Sequence, residues 1–166
     1  MVDARILHRA LLATILIGLA FSLYAGFEVI DPALTNACSV NSYVSCGAVL
    51  SSGDTTFPPG SAIQDWYWGV GGFLALLVLD IALIRTYDPR LLRGVFVLSV
   101  LGLLLAAAFA YEEVFVIHAL CPICVGSYLS GAGVVALSGT LLRIRRRGPD
   151  EPSGTEEEES PEPAIE

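Results

Sequence analysis

The sequence has no lysine, one methionine and two histidines among its 166 residues, so all nine basic residues are arginine. It also lacks a glycine-rich dinucleotide-binding fingerprint and a Cys-x-x-Cys-His haem-attachment motif. His8 and His118 are the only imidazoles that could ligate a metal. These absences exclude nucleotide-dependent and haem-dependent redox enzymes, and they leave little support for a histidine-rich metal centre.

Charged residues are scarce, at 16% of the chain, whereas hydrophobic residues make up 54% and the mean hydropathy is +0.67. Such a composition is too apolar for an ordinary soluble domain and is typical of a polytopic membrane protein. The net charge of −8 is concentrated in residues 148–166, which hold eight of the 17 acids and no base. We expect this segment to be a disordered, acidic cytoplasmic tail. Together with the absence of lysine, it hints at a salt-loving prokaryotic source.

Four apolar runs are long enough to cross a bilayer, and together they predict an all-α integral membrane protein. The expected architecture is a four-helix membrane domain over residues 1–147, with an extracytoplasmic loop or cap between the first and second spans. The predicted spans cover residues 10–30, 66–84, 94–111 and 119–142. Small residues cluster in the second span (Gly69, Gly71 and Gly72) and in the fourth (Gly126, Ser130, Gly131 and Gly133), where they predict close helix packing.

The arginines predict the orientation in the membrane. With four spans, all nine fall on one side, whereas segment 31–65 and the turn at 111–118 contain none. The positive-inside rule then places both termini in the cytoplasm of a multi-pass protein of the cell membrane, with the cysteines at the outer face. Glu112 and Glu113 are expected to lie in the solvated outer turn. Asp80, the one acid within a span, is expected to snorkel or to pair at the cytoplasmic interface.

All four cysteines fall on the predicted outer side. Cys38 and Cys46 lie in the loop "CSVNSYVSC", and Cys121 and Cys124 lie in "CPIC" at the start of the fourth span. Three interpretations remain open: a zinc site, two static disulfides, or a relay that passes electron pairs by thiol–disulfide exchange. The relay is favoured because residues i and i+3 share a helix face, and because Pro122 suits the first turn of a helix whose N-terminus favours a thiolate. A lipid-soluble quinone is the natural terminal acceptor at the bilayer edge.

The segment "CSVNSYVSCGAVLSS", followed by "CPIC" and Tyr128 in a four-span chain, resembles the vitamin K epoxide reductase family and its prokaryotic homologues. The resemblance covers about residues 5–145 and implies a four-helix bundle around a quinone, capped by the loop after the first span. It also implies distinct roles for the cysteines. Cys38 would meet the dithiol of a partner protein, Cys46 would shuttle and bond to Cys121, and Cys124 would reduce the quinone.

The resemblance further implies that Tyr128 hydrogen-bonds a quinone carbonyl, and that Asp65 or Gln64 contacts the quinone at the start of the second span. The implied function is quinone-dependent generation of disulfides, in which a separate exported thioredoxin-fold oxidase is reoxidised. The electron acceptor would be a quinone of the menaquinone or ubiquinone type, without a metal. Two alternatives stay open: a quinone or vitamin K epoxide reductase fed by small thiols, and a structural membrane subunit with static disulfides.

Overall fold

The computed structural model describes residues 4–31, 38–52, 56–58, 61, 63–86 and 88–147. The acidic segment 148–166 lies outside these residues, so the expectation that it is disordered stays a prediction. Four long helices, α1 (Ala4–Ile30), α3 (Asp65–Thr86), α4 (Pro89–Glu112) and α5 (Pro122–Arg147), accompany the short helix α2 (Cys46–Leu50). Each long helix is long and apolar enough to cross a membrane. The all-α, four-span fold predicted from the sequence is therefore confirmed.

Helix α4 begins at a side-chain cap and ends in a π-helical turn. Asp88 is the N-cap of α4, where its carboxylate accepts the Arg90 N–H at 2.8 Å and Pro89 occupies the first turn. The predicted outer turn at 111–118 is not an open turn. Helix α4 continues to Glu112, a π-helical turn follows over Glu113–Ile117, and His118 ends it in the left-handed conformation with φ 56°.

The four long helices form a ring in which α1 packs against α3 and α5, and α4 packs against the same two helices. One apolar cluster fills the middle and the arginine-bearing end of this ring, with Leu11, Ile15, Phe73, Leu83, Val95 and Val134 among its buried members. A second cluster, at the opposite end, contains Cys46, Cys121 and Cys124. The cysteines are therefore part of a packed interior at one end of the bundle.

The glycines of α3 and α5 serve two different purposes. A Cβ atom on Gly69 would lie 2.5 Å from Ser22 Oγ, and one on Gly126 would lie 2.9 Å from the Phe21 ring, so these positions permit the close packing predicted from the sequence. By contrast, a Cβ atom on Gly72 or Gly131 would meet nothing within 4 Å among the described residues. These two glycines face open space, and both line the cavity described below.

Asp80 is fully buried and pairs with a residue of another helix, so of the two behaviours expected of it, snorkelling and pairing, the structure contains pairing. Its Oδ1 lies 3.4 Å from Nε2 of His8, which belongs to α1. Both residues lie toward the end of the bundle at which α1 begins and α3 ends, opposite the cysteines. The pair fixes α1 against α3 because a buried carboxylate requires its partner.

Replacing His8 with alanine should destabilise the bundle by about 3 kcal/mol, because Asp80 would remain buried without its partner. Replacing both residues with leucine should restore most of the lost stability, since the uncompensated polar group disappears with its partner. Thermal denaturation of both variants in detergent measures this difference. Equal destabilisation by the single and double replacements would contradict the pairing.

Candidate redox site

The segment between α1 and α3 is attached to the residue that precedes the CPIC motif. The Ser45 N–H donates to the Leu120 carbonyl at 3.1 Å, and the Leu120 N–H donates to the Tyr43 carbonyl at 2.7 Å. Asn41 shapes the approach, because its Oδ1 accepts the backbone N–H groups of Tyr43 and Val44. These bonds fix the start of α2, whose first residue is Cys46, beside the start of α5.

Both cysteine pairs meet at this junction. Cys38 and Cys46 form a disulfide with a Cα–Cα distance of 5.7 Å, whereas Cys121 and Cys124 are free thiols. The Sγ atom of Cys46 lies 3.2 Å from that of Cys121, and both residues are fully buried, whereas Cys38 is half-buried. Cys46 is thus held against Cys121 by backbone hydrogen bonds of the neighbouring residues.

Cys121 acts as the N-terminal cap of α5. It immediately precedes Pro122, the first residue of the helix, and its Sγ accepts the Cys124 N–H at 3.3 Å. A backbone N–H in the first turn has no partner within the helix, so the cap sulfur satisfies it. The prediction that the CPIC motif lies at the start of a helix is therefore confirmed.

Glu113 is a site residue that the sequence did not identify, and its assignment to a solvated turn is wrong. It is fully buried, its Oε2 accepts the Cys121 N–H at 3.1 Å, and its Oε1 accepts the Tyr128 hydroxyl at 2.7 Å. The sequence alone does not distinguish Glu113 from its neighbour Glu112. The π-helical turn that begins at Glu113 directs the Glu113 carboxylate inward. The feature that identifies Glu113 is therefore its backbone conformation, because π-helical turns are frequent at functional sites.

A cavity of about 600 Å³ opens beside Cys124, bounded by residues from all four long helices. Its walls are mostly apolar, and the few polar groups on them include Asp65, Ser99, Ser127 and Tyr128. An apolar cavity of this size with a few convergent polar groups is the usual form of a small-molecule site. The residues present therefore fit a quinone ring, which is flat and apolar and carries two carbonyl acceptors.

Asp65, rather than Gln64, faces the cavity at the start of α3. The Cys124 thiol donates to Asp65 Oδ2 over 3.9 Å, and Asp65 Oδ1 accepts the Trp66 N–H at 2.7 Å. Gln64 instead accepts the indole N–H of Trp66 at 2.9 Å, and it is not part of the cavity wall. Of the two residues that the resemblance offered as quinone contacts, Asp65 and Gln64, only Asp65 lines the cavity.

Comparison with protein-family models matches the Vitamin K epoxide reductase family over residues 9–138. The match includes all four long helices in whole or in part, both cysteine pairs, Glu113 and Tyr128. Comparison with curated proteins gives no match. Since the family model covers most of the 166 residues, the chain belongs to the vitamin K epoxide reductase family.

Proposed function

We propose that this protein is a quinone-dependent thiol oxidoreductase that generates disulfides by reoxidising a separate thioredoxin-fold partner. Membership of the family implies quinone-linked redox and disulfide chemistry in a multi-pass membrane protein. Electrons would pass from the partner to Cys38 and Cys46, then to Cys121 and Cys124, and finally to a membrane quinone. The observation that carries this proposal is the 3.2 Å contact between Cys46 Sγ and Cys121 Sγ, which joins the two pairs.

The first transfer is thiol–disulfide exchange between the pairs. Cys46 attacks Cys121 of an oxidised CPIC motif, so that the Cys46–Cys121 bond forms and the Cys121–Cys124 bond breaks. Cys38 then attacks Cys46 and releases Cys121, which leaves Cys38–Cys46 oxidised and the CPIC pair reduced. Two electrons have moved toward the membrane. The arrangement of one disulfide and two thiols in the structure corresponds to the end of this transfer.

The second transfer reduces the quinone, which takes up two electrons and two protons when it becomes the hydroquinone. Cys124 is the donor on the cavity side, and Cys121 closes the disulfide behind it. Tyr128 and Asp65 would hold the quinone, because both line the cavity; Asp65 would donate to a quinone carbonyl in its protonated form, since an ionised carboxylate only accepts. The two protons can come from the two thiols, so that the reaction is balanced without another donor.

Glu113 connects the two transfers through hydrogen bonds. Its carboxyl contacts the backbone of Cys121 on one side and the hydroxyl of Tyr128 on the other. A hydroxyl has one proton, so Tyr128 cannot donate to Glu113 and to a quinone carbonyl at the same time. When Glu113 holds a proton it can donate to Tyr128, and Tyr128 is then free to donate into the cavity. Glu113 would therefore act as a positioning residue for Tyr128.

The orientation of the protein in the membrane is also part of this proposal. The arginines predict that the bundle end formed by the start of α1 and the end of α5 faces the cytoplasm. The cysteines would then lie at the outer face of the cell membrane, where disulfides persist and where an exported partner is present. Cys38, the more accessible of the loop cysteines, would be the one that meets this partner.

The proposal is tested by ultraviolet absorbance of quinone in the presence of the purified, full-length protein in detergent. A reduced thioredoxin-fold protein should drive reduction, and the rate should depend on the concentration of that protein. Dithiothreitol alone should support a slower reaction. Equal rates with dithiothreitol alone and with the added protein donor would overturn the role of a protein partner and favour an enzyme fed by small thiols.

Removal of the Tyr128 hydroxyl should impair quinone turnover more than folding. In Tyr128→Phe, we expect the turnover rate to fall about tenfold, which corresponds to the loss of one hydrogen bond of about 1.4 kcal/mol. Tyr67→Phe is the matched control, because Tyr67 also lines the cavity but lies farther along the chain from the CPIC motif. Unchanged kinetics in Tyr128→Phe would leave Tyr128 with a packing role only.

A further inference from the structure

A buried carboxyl group outside the quinone cavity lies beside the loop disulfide. Glu28, in the last turn of α1, is 1% exposed, and neither of its carboxyl oxygens has a hydrogen-bond partner in the part of the chain that the structure describes. One of these oxygens and the Sγ atoms of Cys38 and Cys46 all lie within 4.8 Å of one another. Glu28 therefore lies beside the two sulfurs of the loop disulfide.

The burial of the Glu28 carboxyl group costs stability, so its position requires a functional reason. Burial of a carboxylate without a partner is costly, and the cost falls when the group is neutral. A buried polar group that lacks hydrogen bonds therefore requires an explanation. Such a group suits an acid–base role, because no hydrogen bond has to break before it gives or accepts a proton.

Cys46 needs an acid–base partner because it has no access to water. It is fully buried, and so is Cys121, its exchange partner. When the Cys38–Cys46 bond opens, Cys46 leaves as a thiolate and must be protonated. When Cys46 later attacks Cys121, it must lose that proton again, since the thiolate is the nucleophile. Cys38 is half-buried and can exchange protons with the solvent.

We propose that Glu28 is the acid–base catalyst of Cys46. This inference rests on the proposed function. A thiolate of the donor attacks Cys38, the Cys38–Cys46 bond breaks, and the neutral Glu28 carboxyl donates its proton to Cys46. A second donor thiol then displaces Cys38, so that the donor dithiol is oxidised by two electrons and the loop is reduced by two.

The carboxylate of Glu28 takes the proton back when Cys46 attacks an oxidised CPIC pair. The Cys46–Cys121 bond forms, the Cys121–Cys124 bond breaks, and Cys124 leaves as a thiolate. Cys38 then loses its proton to the solvent, closes the loop disulfide and releases Cys121 as a second thiolate. The two protons that the donor dithiol released restore Cys121 and Cys124 as thiols. Glu28 has recovered its proton at this point, so it neither gains nor loses one over a full cycle.

Opening of the loop disulfide can be measured without quinone. In the full-length Cys121→Ala/Cys124→Ala protein, the loop disulfide is the only one that the remaining cysteines can form. Reduction by excess dithiothreitol, followed by quenching and thiol alkylation, gives the opening rate. We expect Glu28→Gln to lower this rate about 100-fold, which is typical of the loss of a general acid. Glu28→Asp, which retains the carboxyl group, should recover part of the rate.

Ser138→Ala is the control for a buried polar replacement in the same bundle, because Ser138 is fully buried in α5 far along the helix from the CPIC motif. It should leave the opening rate unchanged. A rate in Glu28→Gln within about twofold of the parent would overturn the role of Glu28, as would an equal loss in Glu28→Asp and Glu28→Gln. Failure of the unmodified protein to reduce any quinone would instead overturn the proposed function, since the opening rate does not depend on quinone.

Discussion

Replacement of Cys124 with alanine is expected to abolish quinone reduction and to leave Cys46 covalently joined to Cys121. Cys121 remains in contact with the loop disulfide at 3.2 Å, so it can still attack Cys46 and release Cys38. Without Cys124, no second thiol closes the CPIC disulfide, and the electrons do not reach the cavity. We expect turnover to fall to less than about one thousandth of the parent rate, as is typical when a reacting nucleophile is removed.

Peptide mapping under non-reducing conditions measures the trapped bond directly. The Cys46–Cys121 crosslink should accumulate in Cys124→Ala but should be scarce in the parent protein. Ser138→Ala is the matched control, because Ser138 lies fully buried on the same helix but outside the cavity wall. It should turn over normally without the crosslink. A Cys124→Ala protein that reduces quinone at the parent rate would show that Cys124 is not the electron donor.

Filling the cavity should weaken quinone binding while the bundle remains folded. Gly131 lies two turns after Cys124 on the same helix, lines the cavity, and would meet nothing within 4 Å if it carried a Cβ atom. A leucine at this position would occupy the space proposed for the quinone. We expect Gly131→Leu to raise the KM for quinone at least about tenfold, which corresponds to a loss of about 1.4 kcal/mol in binding.

The control is Gly94→Leu, since Gly94 also has open space around its Cβ position but lies outside the cavity wall. Both replacements should favour the helix by up to about 1 kcal/mol, because glycine is a poor helix former. A quinone titration of the reduction rate gives the KM for each protein. Equal KM values in Gly131→Leu and Gly94→Leu would show that the quinone binds elsewhere.

The spans and the grouping of the cysteines could be predicted because they depend on local properties. Long apolar runs require helices in a bilayer, and Pro122 follows Cys121 in the pattern expected of a helix start. The family resemblance contributed the proposed roles of Cys124 and Tyr128, which spacing alone does not provide.

The burial of Glu28 and Glu113 could not be predicted, because it depends on the packing of distant segments and not on local properties. The inward direction of Glu113 depends on a π-helical turn, and the burial of Glu28 beside the loop disulfide depends on the packing of α1 against the loop cysteines. Neither feature leaves a periodic pattern in the sequence. His8 and Asp80 are likewise 72 positions apart, so their pairing depends on the packing of α1 against α3.

The central claim is a two-stage relay, and the most direct test is quinone reduction by the four single Cys→Ala variants with two donors. The account predicts that the Cys121 and Cys124 variants fail with both a reduced thioredoxin-fold protein and dithiothreitol. The Cys38 and Cys46 variants should fail chiefly with the protein donor, because the loop pair is the proposed contact of that donor. Four variants that keep the parent turnover and merely unfold at lower temperature would contradict the relay and identify the cysteines as static crosslinks.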